Sequence, residues 1–486
     1  MAIITNSCCT EEMSNRVHAK HPHASLTDAR LQTRASSLLV THVNKVELDD
    51  ELVSIDQYVL TDLAHTVMLT RTGIFDAHHG QNMVKTLLSL RAGDTASMLA
   101  SKPEVGTLGL QIENYLEHEL GPRGRDIQRA RSRIDQKATN RRLVNRASLT
   151  EVIQGLVALG SQILETAERY AGALMPGYTH LQHSQPTTID HYLNAHYWAV
   201  SRNLSRLFEA YDRLNLSPLG GAAYSGTSWP IDHTATAHYL GFDRPVYNAR
   251  DAGFAALDMG AELAGVLAAT LSGISRLASD LNYWSSSEVG LVRIHSSLCG
   301  TSSMMPQKRN PMVLERIRGL AGSGQCFETA GAISLLREVI ATVEFDLSAM
   351  QKSSGQHWST TSAVADSLVA SHGMSFRHAH ESVAQLVASH ERAGVCSSDL
   401  RADLITDPAL KEYSHSQSQE ILDPKSFVAS RISSSGTSIE ARDQLATIAK
   451  TNLLEMKNRF QHRLDNVERG LKQLFQDAHS IAAHSP

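Results

Sequence analysis

Aromatic residues make up only 5% of this 486-residue chain, whereas Ala, Leu and Ser are plentiful. That balance speaks against a β-sandwich core and for helix. The five cysteines, Cys8, Cys9, Cys299, Cys326 and Cys396, are odd in number and lack metal-ligand spacing. They read as reduced thiols of a cytoplasmic protein, with no metal site expected. Positive charge is not in excess: 45 Lys and Arg face 50 Asp and Glu, for a net charge of −5 with the signs interspersed. Without a basic stripe, nucleic acid is not an expected partner. The N-terminus has no charged start followed by an apolar run, and no uninterrupted apolar stretch approaches ~18 residues, so neither a signal peptide nor a membrane span is expected. The Gly-rich segment 218–231 (PLGGAAYSGTSWPI) lacks the strand–GxGxxG–helix setting of a dinucleotide site, so it reads as a helix connection and no cofactor is implied.

What is present is long helical periodicity. Apolar residues reach 42% and charged residues 20%, as in soluble globular proteins. Shorter helices are expected over 55–73, 81–91, 108–120 and 378–393, after a loose tail over 1–24. Longer ones are expected over 149–173, 189–214, 251–283 and 311–336. These exceed the usual mean of ~11–12 residues and point to an all-α bundle. Polar interruptions separate them at 123–135 and 176–186.

The chain is organised around a third interruption, Gly300 to Pro311 (GTSSMMPQKRNP). Its Ser, Gly, Thr and Pro content and lack of apolar period mark a loop held between rigid helices, the usual place for function. A second polar turn, Met175 to Pro186 (MPGYTHLQHSQP), carries His180, the side chain best suited to trading protons near neutral pH. Taken alone, His180 reads equally as an ordinary surface residue, Lys308 as a solvated charge, Asn310 as a helix cap and Glu315 as a first-turn carboxylate favoured by the helix dipole.

Ser302, Ser303, Met305, Pro306, Lys308, Asn310 and Pro311 resemble the GSSxMPxKxNP signature of the fumarase/aspartase superfamily. Tyr178-Thr179-His180-Leu181-Gln182, with Gln185-Pro186, is similar to the corresponding argininosuccinate lyase pattern. Ala130 to Gln136 (ARSRIDQ) resembles the family's GRSRNDQ. Stretches near His65 and Ser375, and over 428–437, extend the resemblance across nearly the whole chain after the tail. It implies an all-α, three-region fold: an N-terminal domain over 1–125, a central long-helix bundle over 126–370 with the signature loop at 295–311, and a C-terminal domain over 371–486.

The resemblance also implies chemistry. Ser302 is the base that removes a proton beside a carboxylate, and the negative charge is then stabilised by cations and amide donors placed beforehand. Lys308, Asn310 and Ser303 bind that carboxylate, as do Ser132 and Arg133. His180, with Thr179 and Gln182, faces the leaving group and pairs with Glu315. Anti elimination across a C–N bond of an N-substituted aspartate then yields fumarate and an amine, without a cofactor. Homotetramers sharing a central bundle, with each site built from three subunits, are implied too.

Several positions depart from the pattern. Thr301 and Ile134 replace a glycine and a carboxylate-binding asparagine. Thr107 and Gly109 replace an Asp-x-His pair. Val343 to Ser348 and Gln351 stand where the family grips the arginine-bearing half, leaving Glu344 or Asp346 to meet a different cation. The expected substrate is therefore a dicarboxylate other than argininosuccinate. A lactonising cycloisomerase, or a relative kept only for structure, are the alternatives.

Overall fold

The computed structural model describes residues 35–99, 101–323, 328–397, 400–411 and 420–483. Cys8, Cys9, Cys326 and the expected tail over 1–24 lie outside the described residues. Helix makes up 71% of the structure, which bears out the all-α class. The elements used below are α1 (Ile55–Arg71), α2 (Ala77–Ala92), α3 (Leu108–Leu120), α4 (Arg133–Arg169), β1 (Leu174–Thr179), β2 (Gln182–Thr188), α5 (Ile189–Leu214), α6 (Ala249–Trp284), β3 (Val292–Arg293), β4 (Gly300–Thr301), β5 (Arg309–Asn310), α7 (Met312–Ser323), α8 (Thr329–Thr342), β6 (Glu344–Phe345), α9 (Leu347–Ser354), α10 (Phe376–Arg392) and α11 (Ile439–Ala483).

The chain forms two compact units. One comprises residues 1–144, 215–256 and 466–486. Its core gathers Leu63, Val67, Met83, Leu87, Ile112, Leu116, Tyr239 and Leu474, all buried. Helix α2 starts where Asp76 accepts the His79 N–H at 2.8 Å, an N-cap of the usual kind.

The other unit comprises residues 145–214 and 257–465. Its core is a helix bundle, and α5 shows why the sequence builds it. Leu193, Tyr197, Val200, Leu204, Leu207, Tyr211 and Leu214 are all buried and follow at steps of four and three. That spacing lays one stripe along a helix. A smaller core around Leu368, Ala379, Val383 and Leu386 lies in the same unit.

Three expectations change. Helix α4 begins at Arg133, not near 149, so Arg133 and Ile134 sit in its first turn. The stretch expected as one helix over 311–336 is two, α7 and α8. The region after 393, expected as mixed, holds the 45-residue α11. Among the described residues, two helices are by length and composition apolar enough to cross a membrane: α4 and Asp258–Trp284, with 44% and 28% of their most apolar stretch buried.

Candidate active site

The His180 turn is a β-hairpin. Strands β1 and β2 pair antiparallel, with Thr179 opposite Gln182 and Tyr178 opposite His183. Its two-residue tip, His180 and Leu181, has φ of +55° and +58°. Two successive left-handed residues suit the twist of a hairpin, but the usual choice is Asn-Gly. A branched or ring-bearing residue held there costs about 1–3 kcal/mol, and such strain gathers at functional sites. Thr179, His180, Leu181 and Gln182 are all exposed, so the tip is presented rather than packed. The base of the hairpin is fixed: Gln185 donates to Ser362 Oγ at 2.9 Å. A Cβ on Gly177 would lie 2.2 Å from the Gln185 carbonyl, so glycine is required there. Behind the tip, the His183 ring lies 4.5 Å from His357. Burial, and then His357, lowers the His183 pKa.

The signature loop closes between β4 and β5, with Gly300 opposite Asn310 and Thr301 opposite Arg309. Thr301 therefore sits in extended backbone, where a β-branched residue is at ease; its replacement of glycine imposes no left-handed strain. Arg309 ties the loop down by donating to the Ile294 carbonyl at 3.1 Å and to Ser296 Oγ at 3.0 Å. Ser302 is half-buried, and its Oγ accepts the backbone N–H groups of Met304 and Met305 at 3.3 and 3.1 Å. Ser303 and Lys308 are exposed, while Asn310 is half-buried. Asn310 does not act as the cap of α7. The Pro311 carbonyl takes the Leu314 and Glu315 N–H groups instead, and Asn310 stays in the strand pair. Glu315 lies in the first turn of α7, exposed. Among the described residues no hydrogen bond or ion pair joins His180 to Glu315 or to Ser302.

The third segment, 130–136, belongs to the first unit. Ala130 has φ of +67°. Asp135 is fully buried. Its Oδ1 accepts the Ser132 and Gln136 N–H groups, both at 2.9 Å. Its Oδ2 accepts those of Gly220 and Ala222, at 3.1 and 2.8 Å. The Gly-rich stretch expected as a plain connection thus also anchors this turn. Burial raises the Asp135 pKa, while the backbone donors oppose it. Arg133 and Ile134 are exposed and Ser132 is half-buried.

Other readings are corrected. Val343 is 2% exposed and Phe345 6%, so both are core and neither lines a pocket. Asp346 caps α9 by accepting the Ala349 N–H at 2.9 Å. Glu344 is exposed, in the β3–β6 pair opposite Arg293.

The Lyase family model matches residues 26–324. The argininosuccinate lyase C-terminal model matches residues 358–429. The chain belongs to the argininosuccinate lyase family of the fumarase/aspartase superfamily. It is 33% identical to the argininosuccinate lyase of Methanocorpusculum labreanum, over 74% of this chain and 79% of that one. It is 34% identical to the enzyme of Methanoculleus marisnigri, over 79% and 84%. Among solved structures, EDDS lyase in complex with formate is 26% identical, with a TM-score of 0.83 over 93% of this chain and 96% of that one. A 3-carboxy-cis,cis-muconate lactonizing enzyme, 16% identical with a TM-score of 0.62, shares the fold. The protein is an argininosuccinate-lyase-like carbon–nitrogen lyase that releases fumarate, and the cycloisomerase and inactive-relative readings are set aside.

Beneath the 130–136 turn of this lyase lies a group no motif marks. Glu113, on α3, is 4% exposed. Burial raises its pKa from 4.5 to about 7 against the pull of Arg131 and Arg125. The folded protein thus keeps a proton that the unfolded chain releases between pH 4.5 and 7. Stability from this group falls as pH rises through that window and stays lower above it. Glu113→Gln is expected to stabilise the protein by about 2 kcal/mol at pH 8 and by much less at pH 5, read from urea unfolding at both pH values. An equal effect at both would remove the buried-acid reading.

Proposed function

We propose that this lyase acts on an N-substituted aspartate other than argininosuccinate, in the cytoplasm, as a homotetramer whose sites draw segments from three copies. Ser302 serves as the base. It removes a proton from the carbon beside a carboxylate, and the electron pair forms the new double bond as the C–N bond on the neighbouring carbon breaks. Fumarate and an amine leave. His180, oriented by Glu315, gives the amine its proton from the opposite face. Lys308, Asn310, Ser303, Ser132 and Arg133 hold the carboxylates, and Thr179 and Gln182 sit beside the leaving group. The carrying observation is the pair of backbone N–H groups on Ser302 Oγ. A serine is a poor base unless its alkoxide is stabilised, and two amide donors placed in advance do this.

Three further features support the reading. A variant of EDDS lyase has been solved with bound fumarate. The exposed, strained His180 tip suits a group that completes a neighbouring copy's site. The apolar stretch Asp258–Trp284, only 28% buried within one chain, suits the shared bundle of a tetramer. The domain division 1–125, 126–370 and 371–486 is proposed on the same resemblance. Scanning N-substituted aspartates for fumarate absorbance should find a substrate that turns over faster than argininosuccinate. Light scattering should give four times the 53.1 kDa chain mass. Fumarate from argininosuccinate alone, or a monomer, would overturn the corresponding part.

A further inference from the structure

Asp62 is a carboxylate that the elimination does not use, buried in the first unit. Its Oδ1 lies 2.6 Å from Arg131 Nη1, and both side chains are 1% exposed. The same oxygen accepts Gln136 Nε2 at 2.8 Å. Asp62 therefore grips the residues at both ends of 131–136. Between them, Asp135 holds the backbone from inside. A Cβ on Gly109 would lie 2.9 Å from Gln136 Oε1, so the bare α3 backbone there leaves room for the grip. Asp62 Oδ2 and Arg131 Nε are buried without a hydrogen-bond partner. A buried ion pair so incompletely satisfied adds little to stability and is better explained by what it orients.

We infer that Asp62, Arg131 and Gln136 form a positioning clamp that holds Ser132 and Arg133 in the geometry that receives a substrate carboxylate. The inference rests on the proposed carboxylate-binding role of Ser132 and Arg133. Arg131 is the hinge of the clamp. It follows the left-handed Ala130 and directly precedes Ser132, so anchoring its side chain fixes the backbone from which Ser132 and Arg133 project. Charged and titratable groups face the clamp from three sides: His65 on α1, Glu113 on α3, and Arg125 in the 3-10 turn Gly121–Gln128. Burial, then Arg131, pushes His65 down to about 3, so it stays neutral near pH 7. Burial also raises the pKa of Asp62 and of Asp135 against the pull of Arg131, while Glu113, pushed up to about 7, gains its charge near neutrality and then competes with Asp62 for Arg131.

The test uses fumarate as probe on the full-length oligomer. Asp62→Asn is expected to weaken fumarate binding at least ~10-fold and also to destabilise the fold, since one buried charge loses its partner. The deciding variant is the double replacement Asp62→Leu with Arg131→Met. Apolar groups of similar size often restore the stability lost when an ion pair is broken. Fumarate binding should stay at least ~10-fold weak in the double variant, with KM raised far more than kcat falls. Recovery of wild-type fumarate affinity would make the pair merely structural and overturn the clamp. Should the double variant not fold, Gln136→Met removes one neutral hydrogen bond and is expected to raise KM ~3-fold at constant kcat; no change overturns the proposal. Wild-type affinity should also fall between pH 6.5 and 8, and this step should vanish in Glu113→Gln. Arg133→Ala separates the two levels. If it binds fumarate as wild type does, the carboxylate-binding reading of the turn fails and takes the clamp with it. If it weakens binding while the double variant does not, the clamp alone fails.

Discussion

Ser302→Ala is expected to lower kcat about a thousandfold or more while leaving the unfolding free energy within about 1 kcal/mol of wild type. The two effects separate because of where Ser302 sits. Its Oγ accepts N–H groups from Met304 and Met305, and Met304 is 87% exposed. Water can replace the lost acceptor, so folding loses little, whereas nothing can replace the proposed base. If Ser302 removes the proton, kcat and kcat/KM fall together, because the interaction exists only in the transition state. A rise in KM at constant kcat would instead make Ser302 a binding residue. Wild-type turnover would remove the proposed mechanism altogether. His180→Asn offers a contrast: it removes the proposed acid, so substrates with a poor leaving amine should suffer more than those with a good one.

How much of this was legible depended on whether an element's partners lay nearby in sequence. Helices α3 and α5 were read to the residue: α5 carries one buried stripe at steps of four and three, and Gly121-Pro122 stops α3. Helix α11 was missed. Its 45 residues carry few buried apolar side chains, Leu453, Phe460 and Leu474 among them, so no strong stripe appears. One signal was available: the 45 residues contain no proline and a single glycine, Gly470, kept bare because a Cβ there would lie 2.1 Å from the His238 carbonyl. The hairpin at 174–188 was hidden by Pro176, Pro186 and Gly177, which break a strand pattern, and its two-residue tip lacks the usual Asn-Gly. The signature loop was legible as a loop because its Ser, Gly, Thr and Pro content is local in sequence. The Asp62–Arg131 pair was not, since two ordinary charged residues far apart in the chain give no hint of meeting. Val343 and Phe345 were placed in a pocket by analogy, yet their apolar character already pointed to the core where they lie.

The carboxylate of Asp135 carries the other large effect, this time on stability. Asp135→Asn is expected to cost about 3–6 kcal/mol and to weaken fumarate binding with it. An ionised carboxylate only accepts, and here each oxygen receives two backbone N–H groups, from Ser132 and Gln136 on one side and Gly220 and Ala222 on the other. Asparagine keeps one accepting oxygen and places an NH2 group at the other position. Whichever way the amide turns, two buried N–H donors meet a donor. Each bond to a charged acceptor contributes about 1.5–3 kcal/mol, so losing two gives the stated range. Asp135→Ala leaves four donors without an acceptor and should cost more than Asn does. A strained neighbour sharpens the effect: Ala222, at φ +50°, donates to Asp135 Oδ2 and is free to relax once that acceptor is gone. Urea unfolding of the three proteins should therefore rank wild type above Asn above Ala. An Asn variant within about 1 kcal/mol of wild type, or an Ala variant milder than Asn, would mean that water or another group supplies these donors and that the turn does not depend on this carboxylate.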